Sequence, residues 1–521
     1  MRRVQTPCVS ALVGTLSLSL ACTSAPAPLA SASAATSAAS RSSSGSHGMV
    51  VSASAIASDV GRNVLAAGGN AVDAAVATAF ALAVTYPVAG NIGGGGFMVI
   101  RMPDGRSEWN RLVDPAVRLA SEGFDVPNGL ARSLAGSATY LGVYPASTAA
   151  YYRSGIAYGV GEHVRQPDLA ASLTRIRDNG QDGFYRGETA RLLAAYMRRD
   201  GGLITEADLA GYAAKERAPI RGTYRGDEII SMPPPSSGGV AMVEMLNILE
   251  GYDLAAAGQN SPRYVHLVTE AMRRAFLDRA RYLGDPDFTQ PPVERLTSKA
   301  YAATLRSTIL DDRASPSTPA QVADTHESDQ TTHFSVDDAD GMAVSVTYTL
   351  ENGYGLGAVV PGAGFLLNNE MGDFNGKPGL TDTTGLIGTG PNLAKPGKRM
   401  LSSMTPTIIA KDGKLVAVVG SPGGRTIINT VLEVVLDLID GRMGIQAAVN
   451  APRFHHQWLP DVVMTEHNAL SPATVAGLQA MGYRLIELGA QGTAHSIFVD
   501  ATGARIGAAD PRDTDAAASG Y

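Results

Sequence analysis

Two adjacent threonines, Thr331 and Thr332, stand where a polar stretch of the chain changes into strand-like alternation. Residues 311–330 before the change are rich in Ser, Thr, Pro and acidic residues, the composition of a mobile segment. A hairpin needs no threonine pair at its start, whereas a chain that cuts itself there could use the exposed hydroxyl group as a nucleophile. The spacing alone favours the plainer interpretation, two β-branched residues in an ordinary sheet.

The residues after Thr331 predict a β-hairpin that brings a second hydroxyl group towards it. The sequence DADG at 338–341 favours a tight turn, because its glycine tolerates a positive φ. Pairing across this turn sets Thr331 opposite residues 348–350. Side chains alternate along a strand, so the hydroxyl group of Thr349 can lie next to Thr331.

Three further stretches carry groups suited to an oxyanion or a charged ligand. In GSPGG at 420–424, successive N–H groups at a glycine turn entering a helix form an anion site, although a tight turn is the simpler interpretation. Ser402 and Ser403 offer adjacent hydroxyl groups before a strand, where capping or solvated serines are the alternative. Glu370 and Asp373 could hold an ammonium group, although surface acids are commoner.

Other common catalytic and metal-binding patterns are missing from the sequence. His455 and His456 lack the paired spacing of motifs such as H-E-x-x-H, so no metal is predicted. Both cysteines, Cys8 and Cys22, lie in the N-terminal segment, and no G-x-S-x-G occurs, which argues against the usual thiol and serine nucleophiles. The glycine loop at 90–96 runs from helix to strand, the reverse of a dinucleotide-binding loop. The sequence therefore predicts no cofactor.

Helical and strand patterns flank these candidate residues. The sequence predicts helices at 58–69, 70–84, 166–200, 203–217, 240–250, 425–440 and 471–481. It predicts strands at 331–337, 342–350, 406–411, 414–420 and 494–499. Helices at both ends and strands in the middle favour sheets covered by helices, an α+β or layered αββα arrangement.

The overall composition is that of a globular protein, with 45% hydrophobic and 17% charged residues among 521. A chain of this length suits one large domain or two closely joined ones. The net charge of −7 and the lack of a basic stripe give no reason to expect nucleic acid.

The N-terminal segment 1–40 reads as a secretory signal followed by a small-residue tail. It begins with the positive residues of MRR, and its apolar run is too short to span a membrane. The sequence SLAC ending at Cys22 weakly matches a lipoprotein cleavage site. The protein is therefore predicted to be exported, periplasmic or secreted, with lipidation at Cys22 as the less favoured variant.

Many stretches from about residue 48 to the C-terminus resemble, in order, the bacterial γ-glutamyltransferases, also called glutathione hydrolases. They include GGNAVDAAVATAFALAV, GNIGGGGFM, QPDLAASL, GFYRG, GGLITEADLAGY, SMPPPSSGG, YLGDPDF, QTTHFSV, LLNNEMGDF, LSSMTPT, GSPGG, NAPRFHHQWLPD and GAADPR. The resemblance implies an N-terminal-nucleophile hydrolase with a four-layer αββα sandwich. It also implies one precursor that is cut between Gln330 and Thr331 into a large subunit, 48–330, and a small subunit, 331–521, which stay together as a heterodimer.

The resemblance implies catalytic roles for four of the candidate residues. Thr331 would be the nucleophile, and its freed α-amine, with a reference pKa of about 8, would accept the proton from its own hydroxyl group. Thr349 would hydrogen-bond and orient the nucleophile. The N–H groups of Gly423 and Gly424 would form the oxyanion hole.

Five further residues correspond to the family's substrate site. Ser402 and Ser403 would hold the α-carboxylate of a glutamyl group, while Glu370 and Asp373 would hold its α-amino group. Glu351 stands where the best-known bacterial members have asparagine, and Glu370 stands where they have glutamine. Both changes add negative charge near the expected ammonium site.

The chain departs from the family at two places. After MVIRMPDG the family continues through a strand whose arginine grips the substrate carboxylate, but here the next stretch matches a later helix, so several tens of residues are missing. Arg111 falls at a variable position of that helix and is not assigned to the substrate. The stretch 377–399 resembles the lid loop over the pocket, with its usual aromatic residue replaced near Thr384, which would favour hydrolysis.

The resemblance implies a self-cleaving γ-glutamyl hydrolase and transferase that acts on glutathione and other γ-glutamyl amides, with water, an amino acid or a peptide as acceptor. Two alternatives remain open. One is a related enzyme of the same fold, such as a cephalosporin acylase or a polyglutamate-capsule transferase, motivated by the missing arginine and by Glu351. The other is an uncleaved, inactive homologue with a binding role.

Overall fold

The structure, a computed structural model, describes residues 41–102, 109–319, 330–375, 381–384 and 388–521. Four sequence predictions fall wholly or partly outside the described residues: the signal segment with Cys8 and Cys22, the stretch after Met102, half of 311–330, and part of 377–399.

Helices make up much of the described chain. They are α1 Ala55–Ala66, α2 Ala71–Thr85, α3 Trp109–Glu122, α4 Asn128–Gly136, α5 Ala138–Leu141, α6 Pro145–Tyr151, α7 Pro167–Asn179, α8 Asp182–Tyr185, α9 Gly187–Asp200, α10 Glu206–Gly211, α11 Gly238–Leu249, α12 Leu254–Ala257, α13 Pro262–Tyr282, α14 Val293–Leu296, α15 Lys299–Arg306, α16 Thr426–Ile439, α17 Ile445–Asn450 and α18 Pro472–Ala480. Short 3₁₀ helices cover Glu370–Asp373 and Gly390–Asn392. Within the described ranges, none of the helices has the length and apolar character needed to cross a membrane.

The strands are mostly short. They are β1 Ser42–Gly45, β2 Gly48–Ser52, β3 Gly95–Arg101, β4 Phe124–Asp125, β5 Tyr152–Arg153, β6 Ile156–Ala157, β7 His163–Val164, β8 Ile220–Tyr224, β9 Asp227–Ser231, β10 Gln330–Asp338, β11 Ala343–Glu351, β12 Thr407–Lys411, β13 Lys414–Val419, β14 Phe454–His455, β15 Val463–Glu466, β16 Leu485–Leu488, β17 Ser496–Val499, β18 Arg505–Ala508 and β19 Ala517–Gly520.

Two antiparallel sheets form the centre of the molecule. In the described residues one sheet has the order β1-β18-β17-β13-β12-β9-β8, and the other has the order β19-β2-β10-β11-β3. They pack face to face: the hydroxyl group of Ser345 on β11 donates to the carbonyl oxygen of Val419 on β13 at 3.1 Å. Apolar side chains from both sheets, including Val51 and Ile408, fill the space between them.

Helices cover the outer face of each sheet. The apolar residues of α1 and α2 pack on Phe334 and Val344 of the five-stranded sheet. Residues of α11, α13 and α16 form a larger cluster on the seven-stranded sheet. The predicted four-layer αββα sandwich is therefore confirmed.

Local sequence signals explain where several helices begin and end. Asn70 and Asp73 form a reciprocal capping box at the start of α2. The predicted helix at 166–200 is divided, because Gly180 and Gly187 have φ values of +59° and +63°. The helix predicted at 203–217 is limited to α10, since the residues after it are largely exposed and have no apolar face to bury.

Candidate active site

Thr331 lies near the start of β10, in the middle of the five-stranded sheet, and is buried. The predicted hairpin is confirmed, but its register shifts at this point. Thr332 pairs with Tyr348, whereas Gln330 pairs with Glu351, so two residues of β11 face Thr331. This β-bulge bends the strand locally and changes the direction of a side chain, a feature common beside active sites.

Thr349 is one of the two residues of β11 that face Thr331. Its hydroxyl oxygen accepts the N–H of Glu351 at 2.8 Å, and its carbonyl oxygen accepts from the Asn91 amide at 3.0 Å. The glycine loop before β3 comes so close that a Cβ at Gly94 would overlap this carbonyl group. The glycines therefore let a loop of the N-terminal half support Thr349 by direct backbone contact.

Glu351 and Glu370 lie close together beside Thr349. Glu370 is buried in its 3₁₀ helix, and its Oε1 accepts the N–H of Gly95, the residue opposite Thr349, at 2.8 Å. The carboxylate of Glu351 lies against the Cα of Gly372. Burial raises the pKa of Glu370 to about 7; the Gly95 N–H opposes this rise, and the charge of Glu351 adds to it.

Asp373 closes the same 3₁₀ helix as Glu370 and is half-buried. Its carbonyl oxygen accepts from the Asn392 amide at 2.7 Å. The structure therefore places these predicted acids on one turn, with Glu351 packed against that turn. An excess of buried negative charge of this kind suits an ammonium group.

The glycine turn at 420–424 begins next to the first residues of β10. A Cβ at Gly420 would overlap the ring of His333, two residues beyond Thr331. Gly423 and Gly424 have φ values of +130° and +56°, and α16 starts two residues later. The N-terminal end of a helix and a glycine turn together favour negative charge.

Ser402 and Ser403 are buried just before β12 and are tied to the proline-rich turn before α11. Ser237 N–H donates to the carbonyl oxygen of Ser402 at 2.7 Å, and Ser402 N–H donates to that of Pro235 at 2.9 Å. The hydroxyl oxygen of Ser402 accepts the N–H of Met404 at 3.1 Å. The proline-rich turn thus holds Ser402 through both its N–H and its carbonyl group.

Arg279 is a residue of this site that sequence analysis missed. It lies on α13 with 3% of its surface exposed, and its guanidinium group donates to Ser403 Oγ at 3.0 Å. The sequence does carry a signal for it. Val265, Val268, Met272 and Phe276 form an apolar stripe at helical spacing, and Arg279 continues the stripe with a charge.

Four other residues noted in the sequence have separate surroundings. Arg111 is exposed on α3 and lines a cavity between α1 and α3. Thr384 is exposed and caps a turn through its own N–H and hydroxyl group. His455 and His456 are buried and hydrogen-bonded to protein side chains, and burial lowers the pKa of both rings.

Comparison with known families gives a match over almost the whole chain. A sequence profile described as gamma-glutamyltranspeptidase matches residues 57–108 and 104–520. The match is split into two segments that overlap at 104–108, where the sequence predicts a missing stretch.

Individual relatives agree with the profile. The chain is 43% identical to the glutathione hydrolase proenzyme of Escherichia coli K12 over 91% of this chain and 92% of the relative. It is 36% identical to the acylase ACY 1 proenzyme of Pseudomonas sp. SE83 over 85% and 88%. Among solved structures, cephalosporin acylase from Bacillus halodurans superposes with a TM-score of 0.81 at 26% identity, covering 92% of this chain and 97% of that one. The chain belongs to the gamma-glutamyltranspeptidase family.

Proposed function

We propose that the chain is a self-cleaving γ-glutamyl hydrolase and transferase with Thr331 as its nucleophile. The observation that carries this proposal is the bulge at the start of β10, which sets Thr331 against Thr349 with the carboxylates of Glu351 and Glu370 beside them. Membership of a family whose relatives are named glutathione hydrolase proenzymes supports both the cleavage and the substrate.

The first step is cleavage of the chain at Gln330–Thr331. The hydroxyl oxygen of Thr331 attacks the carbonyl carbon of Gln330, and an ester forms as the peptide C–N bond breaks and the proton passes to the new α-amine. Water then hydrolyses the ester, which gives Gln330 a carboxylate and leaves Thr331 as an N-terminus. This α-amine has a reference pKa of about 8, so it can act as a base near neutral pH.

The second step is attack on a γ-glutamyl amide. The α-amine of Thr331 accepts the proton from its own hydroxyl group, and the hydroxyl oxygen attacks the γ-carbonyl carbon. As the amide C–N bond breaks, the α-ammonium group passes this proton to the leaving amine, and an ester-linked acyl-enzyme remains. The N–H groups of Gly423 and Gly424 stabilise the oxyanion. Thr349 orients the nucleophile. Water or the amine of an amino acid or peptide then takes the acyl group.

The glutamyl group is held at its two charged ends. Ser402 and Ser403 donate to the α-carboxylate, and Glu351, Glu370 and Asp373 surround the α-ammonium group. The reaction requires neither a cofactor nor a metal in this scheme. The N-terminal segment supports export of the protein, and the two cleaved pieces remain together as a heterodimer.

The cleavage test compares two neighbouring threonines. Thr331→Ala should abolish processing, so that denaturing gels and intact mass show only full-length chain, whereas the wild type gives two pieces with threonine at the new N-terminus. Thr332→Val is a matched control, because it keeps the side-chain shape and Thr332 Oγ1 has no hydrogen-bond partner in the described structure. A wild type that stays uncut would contradict the proposal and favour the inactive homologue.

A related acylase is the second candidate function. The likeness to two acylases and the split in the family match at 104–108 favour it. Turnover of L-γ-glutamyl-p-nitroanilide should be compared with that of glutaryl-p-nitroanilide, which lacks the α-amino group. A preference for the glutaryl substrate would replace the leading function with the acylase.

A further inference from the structure

Arg279 connects two chain segments behind the proposed carboxylate site. Its Nε donates to the hydroxyl oxygen of Ser237 at 2.8 Å, and its Nη2 donates to that of Ser403 at 3.0 Å. The hydroxyl group of Ser237 in turn donates to the carbonyl oxygen of Ser402 at 2.7 Å. One guanidinium group therefore fixes the serine pair directly at one residue and through Ser237 at the other.

The bonding also determines what the serine hydroxyl groups can do. A guanidinium group has N–H donors and no acceptor, so Ser403 Oγ must be the acceptor in this contact. Ser402 Oγ is likewise the acceptor of the Met404 N–H. Each oxygen thus accepts a hydrogen bond from the protein, and the donor capacity of each serine side chain lies in its hydroxyl hydrogen. Two hydroxyl donors side by side suit the two oxygens of a carboxylate.

The charge of Arg279 strengthens this arrangement. A hydrogen bond from a charged donor polarises the hydroxyl group that accepts it, which makes that hydroxyl a better donor. Burial of the guanidinium among the residues of α13 lowers the local dielectric and increases its effect on a nearby anion. Its fork of donors also fixes the geometry, which a single ammonium charge would do less well.

We propose that Arg279 is a positioning residue that sets Ser402 and Ser403 for the carboxylate of the substrate. This inference rests on the proposed function. It explains how a chain without the family's arginine-bearing segment after β3 can still bind a carboxylate: the positive charge acts through Ser403 and does not touch the substrate.

The test uses two substrates that differ only in the carboxylate. L-γ-Glutamyl-p-nitroanilide carries it, and 4-aminobutyryl-p-nitroanilide lacks it. In processed Arg279→Met, we expect KM for the glutamyl substrate to rise about 10- to 100-fold with little change in kcat, the effect of losing a charge-assisted hydrogen bond. The kcat/KM for the aminobutyryl substrate should change by less than about threefold, because it does not use the serine pair.

Three variants provide the controls. Arg279→Lys keeps the charge, so its KM for the glutamyl substrate should lie between those of the wild type and Arg279→Met. It takes the place of the methionine variant in the test if that variant is not processed. Arg281→Met changes a partly exposed arginine on the same helix and should leave both substrates unaffected. In a Ser403→Ala background, Arg279→Met should raise KM for the glutamyl substrate by a much smaller factor than it does in the wild type, because Arg279 acts through Ser403.

The outcomes separate the inference from the function on which it rests. An equal loss of kcat/KM for both substrates would show that Arg279 is merely structural. Additive effects of Arg279→Met and Ser403→Ala on KM would show the same, and either result would overturn the inference but not the proposed function. A wild type that cleaves itself but does not prefer the glutamyl substrate would overturn the proposed function, and the inference with it.

Discussion

At the scale of single residues, Glu351 is the most unusual member of the site. It has a φ of +80°, a conformation that residues other than glycine seldom adopt, and its carboxylate is buried near that of Glu370. Two acids in one buried place resist being ionised together. Because the pKa of Glu370 is raised to about 7, a proton on Glu370 competes near neutral pH with an ammonium group for the same position.

This competition predicts a pH dependence of substrate binding. Ionised Glu370 binds the ammonium group, so KM for a γ-glutamyl anilide should rise as the pH falls through the pKa of Glu370, about 7. Glu351→Asn removes the negative neighbour that helps to raise this pKa, so the rise in KM should move to lower pH.

The measurement is KM between about pH 5 and pH 9, the range that brackets this raised pKa. Glu370→Gln is the control, since it cannot titrate and should flatten this part of the profile. If the midpoint of the rise in KM stays at the same pH or moves to higher pH in Glu351→Asn, the assignment of this rise to Glu370 is contradicted.

At the scale of elements, the glycine turn before α16 is tightly constrained. Gly423 combines a positive φ with close neighbours: a Cβ there would lie 2.6 Å from Thr426 Oγ1 and 3.2 Å from the Cα of Gly492. A side chain would therefore both strain the backbone and push the turn away from its position.

Gly423→Ala should accordingly lower kcat by about 100- to 1000-fold, the range seen when one oxyanion donor is lost. KM should change less, because the charged ends of the substrate are bound elsewhere. Gly444→Ala is the matched control: this glycine also precedes a helix, has φ −65°, and leaves open space for a Cβ. Unchanged kcat in Gly423→Ala would exclude this turn as the oxyanion site.

The edge strand β3 gives a second prediction at this scale. Met98 and Ile100 alternate along it and are 38% and 39% exposed, and Met102, which follows the strand, is 60% exposed. In the described residues β3 pairs on one side only. An apolar strand edge of this kind promotes association between molecules. The split in the family match, at 104–108, lies a few residues beyond the end of this strand.

Ile100→Lys should therefore reduce concentration-dependent association, measured by light scattering or sedimentation, and leave kcat/KM unchanged. Leu203→Lys is the control, because Leu203 is 90% exposed in a loop and belongs to no strand. Equal effects of the two substitutions would show that general surface charge, not the strand edge, governs association.

Elements with strong local signals could be predicted from the sequence, and those made by distant pairing could not. The alternation of β10 and β11 predicts their pairing, and the cap at Asn70 predicts the start of α2. The strands β1 and β19 read SSSG and AASG, residues that have little β propensity and form strands because of their neighbours. The bulge at Thr331 and the contact of Arg279 likewise depend on the packing of segments far apart in the chain.

At the scale of the whole molecule, the proposed large and small subunits are interleaved in both sheets. With a cut before Thr331, β10, β11 and β19 belong to the small subunit, and β2 and β3 belong to the large one. In the five-stranded sheet, β2 lies between β19 and β10, and β3 pairs with β11. In the other sheet β9 of the large subunit pairs with β12, and β1 pairs with β18 at the opposite edge. Neither piece can complete a sheet alone.

This interleaving predicts that the processed pieces separate only when the whole fold is lost. Native gel filtration should give one peak containing both pieces, although a denaturing gel shows two. In increasing denaturant, the loss of co-elution should coincide with the loss of circular dichroism, because removing either piece exposes the ladder of hydrogen bonds of the other. Uncut Thr331→Ala provides the reference for unfolding without dissociation. Release of the small piece at a denaturant concentration where the secondary structure persists would mean that the two subunits pack as separate units and do not share their sheets.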